Sequence, residues 1–92
     1  MKLIYKETTM PDGSKVYYYR VDRLEKVSPT TIEITLGGYP DLYEALNSHT
    51  PSLNVVVPVE FTEIMVRIPD NFFEDLIKMP TWEGAEIVEA GA

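Results

Sequence analysis

The sequence contains no cysteine and a single histidine, His49. Disulfides and thiolate chemistry are therefore excluded, and so are the common zinc sites, which draw on several cysteines and histidines. Positive charge is missing over a long stretch, since no Lys or Arg occurs from Val27 to Val66. Such a stretch is a poor match for a phosphate backbone, which is bound by cations that release counterions, so nucleic acid is not an expected partner. No apolar run approaches the roughly 20 residues that cross a bilayer. The opening "MKLIYKETTM" carries an apolar run of only three residues, which does not make a signal peptide. No membrane partner is expected, and a cytoplasmic setting fits.

What is present is ordinary for a folded chain. Of 92 residues, 45% are hydrophobic and 25% charged, which argues for one domain over residues 1–92. The net charge is −7, and it is concentrated: from Glu60 to Ala92 there are eight acids against two bases, Arg67 and Lys78. Residues 81–92 read as an acidic tail that could be flexible, although Trp82, Ile87 and Val88 could also dock or form a last short strand.

Period-two alternation dominates the chain. Leu3–Thr8 reads as a strand, and Pro11-Asp12-Gly13 as a turn in which glycine accepts a positive φ. Lys15–Val27 reads as a longer strand, with Tyr17, Tyr19 and Val21 on one face and Val16, Tyr18 and Arg20 on the other. Its alternation slips near Leu24, which points to a bend or bulge. In Thr31–Leu36 the residues Ile32, Ile34 and Leu36 form a buried face. Leu53–Val59 follows as an apolar strand, where Pro58 marks an edge or a bulge, and Phe61–Ile68 reads as another strand. Two short helices are expected. One spans about Pro40–Ser48; the other covers "NFFEDLIKM", capped by Asp70 or Asn71 with Glu74 completing a capping box, and buries Phe72, Phe73, Leu76 and Ile77. The predicted class is α+β, an antiparallel, strongly bent sheet or partial β-barrel of about five strands with two short helices, in the order β-β-β-α-β-β-α.

The stretch "GGYPDLYEAL" (Gly37–Leu46) has the layout of a phosphate-binding loop, but Pro40 removes a backbone donor and Asp41 and Glu44 place carboxylates where a phosphate would sit. It reads as a sharp strand-to-helix corner, with a positive φ expected at Gly37 or Gly38 and a cost of about 1 kcal/mol for alanine there. His49, in "NSHTPS", reads as a surface loop residue, because no nucleophile motif accompanies it. No carboxylate set has the spacing of a calcium loop or the cleft-spanning placement of a glycosidase pair. No catalytic residue, cofactor, metal or small-molecule substrate is inferred, and the chain is not expected to be an enzyme.

Two surfaces remain as candidates. Tyr5, Tyr17, Tyr19 and Val21 could form a tyrosine-rich protein interface, through which the chain would form a homo-oligomer or dock on another protein. Alternatively, Glu60, Glu63, Glu74, Asp75, Glu83, Glu86 and Glu89 could imitate a phosphate backbone and block a basic site on a partner. Residues 19–51, "YRVDRLEKVSPTTIEITLGGYPDLYEALNSHTP", resemble segments of small accessory or virion-assembly proteins of tailed phages, in which strand, turn, strand and a "GY-x-D" corner precede a short helix. The resemblance implies a non-enzymatic assembly protein, cytoplasmic or virion-associated.

Overall fold

A computed structural model of the chain describes residues 1–60, 68–69 and 71–90. Among these residues, five strands form one antiparallel sheet: β1 (Lys2–Thr9), β2 (Lys15–Ser28), β3 (Thr31–Tyr39), β4 (Leu53–Glu60) and β5 (Glu86–Glu89). Their spatial order is β4-β3-β2-β1-β5, so the first four form a meander and β5 returns to the free side of β1. Among the described residues the sheet is open, with β4 and β5 as its edges, and does not close into a barrel. Pro58, which has no N–H to donate, thus sits on an edge strand, as its chemistry requires. The strand expected over Phe61–Ile68 lies almost wholly outside the described residues. Among the described residues the fifth strand is β5, from the segment that reads as an acidic tail or a last short strand.

The two faces of the sheet are covered unequally. One face carries Ile4, Val16, Tyr19, Ile32, Ile34, Leu36 and Val57, packed beneath Phe72, Phe73, Leu76 and Trp82. Here the alternation of Ile32, Ile34 and Leu36 holds, with all three fully buried. Helix α2 (Phe72–Leu76) lays its apolar stripe on them, and a single 3₁₀ turn over Pro80–Trp82 adds the tryptophan. Asn71 occupies the N-cap position of α2, but its side chain makes no cap bond, so the expected capping box does not form; Asp70 is not among the described residues.

Among the described residues, the opposite face carries α1 (Leu42–Asn47) over a small cluster of Leu3, Tyr39 and Ala45. Asp41 caps α1, accepting from the backbone N–H of Glu44 at 2.8 Å, so Pro40 lies before the helix and not in its first turn.

The turn at Gly13 has φ +90°, as its sequence predicts. The pair Gly37-Gly38 does not follow its expectation. Both lie inside β3, and neither has a positive φ. Their role is clearance. A Cβ on Gly37 would lie 1.9 Å from Asp22 Oδ2, and one on Gly38 would lie 3.1 Å from Tyr19 Cε1. β3 therefore runs on to Tyr39, and the strand-to-helix corner begins after the glycines.

Candidate functional site

The register of β1, β2 and β3 sets Tyr5, Tyr18 and Tyr39 opposite one another, so their rings form a row across the α1-bearing face. The Tyr5 and Tyr18 rings meet edge-on at 5.2 Å. A register shift between Tyr5 and Thr8 also brings Tyr17 against Tyr5, with the rings near parallel at 6.2 Å. The Tyr39 end of the row lies under α1, whereas Tyr5 is 36% exposed. At the rim, Lys15 Nζ donates to Glu7 at 2.9 Å; this bond and the lysine charge hold the Glu7 carboxyl below its usual range.

Two of the four residues expected at an interface are elsewhere. Tyr19 is 2% exposed, packs edge-on against Trp82 at 4.9 Å, and donates its hydroxyl to Thr8 Oγ1 at 2.6 Å. Burial pushes its hydroxyl pKa up. Val21 packs, half-buried, against the same main core. Strict alternation groups Tyr17 with Tyr19, but the strand irregularity separates them and substitutes Tyr18. Tyr43 on α1 is 71% exposed, and strand alternation does not mark it.

Beneath α1 lies a polar lock. A second register shift, between Val21 and Arg23, matches the slip seen in the sequence near Leu24 and leaves Asp22 as the extra residue. Arg20 Nε donates to Asp22 Oδ1 at 2.6 Å, and both side chains are mostly buried, 16% and 19% exposed. Arg20 Nη1 donates to the Ala45 carbonyl at 2.8 Å, and Nη2 to the Ser48 carbonyl at 3.0 Å and to the Tyr39 hydroxyl. Tyr39 in turn donates to Asp22 Oδ2 at 2.7 Å. The guanidinium carbon also lies 4.6 Å from the Tyr39 ring centroid. One arginine thereby satisfies carbonyls at the C-terminal end of α1, where a cation is favoured. The space that Gly37 leaves open admits the Asp22 carboxylate that orients it.

Burial, reinforced by the Asp22 carboxylate, pushes the Tyr39 hydroxyl up to about 12 from 10.0. The folded chain therefore keeps this proton at pH values where the unfolded chain has lost it. The resulting stabilisation is complete below about pH 10 and is lost as pH rises towards 12. Urea midpoints measured across this range should fall, and Tyr39→Phe should make the fall shallower. An unchanged slope in that variant would show that Tyr39 titrates normally.

These groups satisfy one another and hold a helix. His49, exposed just after α1, borders an open groove with Arg23, Thr35 and Asn54. Among the described residues, no three His, Asp or Glu side chains gather to hold a metal ion, and no helix is long and apolar enough to cross a membrane.

The acidic residues do not share one face. Glu60 and Asp75 border a groove on the β4 side. Glu74 lies 3.8 Å from Lys2 Nζ. Glu86 and Glu89 lie on β5, at the opposite edge, Glu83 follows the 3₁₀ turn, and Glu63 is outside the described residues. No protein family, curated protein or solved structure matches this chain.

Proposed function

We propose that this chain is a non-enzymatic interaction protein that self-associates through the tyrosine-bearing part of the sheet face that the described residues leave uncovered beside α1. The observation that carries this reading is the cluster of Tyr5, Tyr17 and Tyr18, three contacting rings on the side away from the main core, of which Tyr5 is exposed and the other two half-buried. Tyrosines supply large contact area with a polar tip, and they are enriched at protein interfaces over the rest of the surface. The Lys15–Glu7 pair beside them has the polar character of an interface rim. The sheet edges are less suitable. Pro58 removes a donor from β4, and Glu86 and Glu89 put negative charge on the short β5. An assembly role, cytoplasmic or virion-associated, agrees with the resemblance of residues 19–51 to phage accessory and virion-assembly proteins.

Sedimentation over a concentration series tests the reading. A concentration-dependent dimer or higher oligomer is expected, and the double substitution Tyr5→Thr with Tyr17→Thr should weaken it more than about tenfold, roughly 1.4 kcal/mol. Threonine keeps strand propensity, so the fold should survive. A strict monomer at high concentration overturns self-association. Capture of a basic nucleic-acid-binding partner that salt releases would favour the acidic-mimic alternative instead.

A further inference from the structure

We infer that α1 is a removable cover over the tyrosine row, with Arg20 as its clasp, and that lifting it extends the exposed row from Tyr5 and Tyr18 to Tyr39. Three observations on different parts of the fold carry this inference.

The apolar hold on α1 is small. Ala45 is its only buried residue, and Leu42 and Tyr43 face solvent at 37% and 71% exposure. The helix on the other face buries Phe72, Phe73 and Leu76. Short segments with few buried apolar groups open locally, without unfolding the whole molecule.

The C-terminal end of α1 is held by polar bonds. Arg20 reaches the carbonyls of Ala45 and Ser48, while Asp22 and Tyr39 keep the guanidinium on the sheet. When α1 lifts, water replaces Arg20 at two carbonyls, and Arg20 keeps its partners below.

The ends of the segment stay where they are. Tyr39 is paired with Tyr18 in the sheet, Ser52 N donates to the Gly38 carbonyl at 2.9 Å, and Leu53 opposes Gly38. Residues 40–51 thus leave and rejoin β3 at nearly one point, as a compact surface loop does. Their excursion does not require the strands to part.

The role of the longer row in assembly rests on the proposed self-association, but the cover itself can be tested without a partner. Because the chain has no cysteine, single thiols report opening cleanly. The experiment measures labelling by a soluble disulfide reagent in Ala45→Cys, under α1, and in Ile34→Cys, in the main core. Local opening predicts labelling at position 45 about 100-fold faster or more, because position 34 reacts only on global unfolding. Adding Arg20→Lys, which keeps the charge but loses the forked donors, should speed position 45 about tenfold and leave it well ahead of position 34. Amide exchange at Ala45 and Ser48 of the unaltered chain checks that the cysteine did not itself loosen the helix. Equal labelling at the two positions, or no acceleration of position 45 by Arg20→Lys, overturns the inference. A chain that opens at position 45 but stays monomeric overturns the association reading alone.

Discussion

Gly37→Ala lowers the unfolding free energy by about 2–3 kcal/mol, because its methyl group displaces a charged side chain that has nowhere equivalent to go. The added Cβ would sit 1.9 Å from Asp22 Oδ2, 2.9 Å from its Cγ and 3.0 Å from Pro51 Cβ. A carboxylate on a free surface would swing aside at little cost. This one accepts from Arg20 Nε at 2.6 Å and from the Tyr39 hydroxyl at 2.7 Å. Moving it strands a mostly buried guanidinium and loosens the anchor of α1. The corresponding drop in Tm is roughly 10–20 °C for a domain of this size. A double-mutant cycle with Asp22→Ala identifies the cause. In that background the same Gly37→Ala change should cost less than about 1 kcal/mol, since the obstructing carboxylate is gone. Equal penalties in both backgrounds would assign the cost to Pro51 or to the backbone.

Trp82→Ala should cost more, about 3–5 kcal/mol, the range for truncating a large buried aromatic. Trp82 is 4% exposed and belongs to the main core, edge-on to Tyr19. It also directs the chain into the last strand. Trp82 N donates to the Met79 carbonyl at 2.9 Å, Ala85 N donates to the Trp82 carbonyl at 3.0 Å, and Gly84 turns the chain with φ +86° into β5. Losing the indole therefore loosens the delivery of β5 to β1 as well as leaving a cavity. Against the 5–15 kcal/mol typical of a natural domain, such a loss leaves a substantial unfolded population. Urea unfolding followed by circular dichroism measures it, since the variant has no indole to report fluorescence. A cost below about 1 kcal/mol would mean that the segment from Trp82 onward is the loose tail its acidity suggests.

Much of the sheet was legible because its signals are local. The side chains of Ile32, Ile34 and Leu36 alternate without interruption, and β3 buries all three. The Phe72, Phe73 and Leu76 stripe gives α2, and the slip near Leu24 corresponds to the shift between Val21 and Arg23. What escaped depends on neighbours distant in sequence. Gly37 and Gly38 read as a corner because glycine is ordinarily a source of unusual φ, whereas here the missing Cβ makes room for Asp22 and Tyr19 from the adjacent strand. Tyr19 read as an interface residue because alternation was carried unbroken through three consecutive tyrosines. The shift between Tyr5 and Thr8 sends Tyr19 to the core and joins Tyr18 to Tyr5. The Arg20–Asp22–Tyr39 lock has only one local sign, the i, i+2 charge pair, and its third member arrives from β3. The strand β5 has four residues and two of them are glutamates, so short a run that the sequence offers a last strand there only beside a loose tail.

The return of β5 to β1 has a kinetic consequence. The meander β1–β2–β3–β4 closes through short connections and can form as the chain emerges during synthesis, whereas β5 joins a strand more than 80 residues upstream. Until Glu86–Glu89 arrives, the outer side of β1 presents unpaired donors and acceptors beside Leu3 and Ile4, both fully buried in the finished fold. Long-range pairing of this kind is the slow part of folding, and an unpaired edge is where nascent chains pair wrongly. The vulnerable interval in the life of this molecule is therefore set by the time the ribosome takes from β1 to β5, and the short acidic strand Glu86–Glu89 is what closes it.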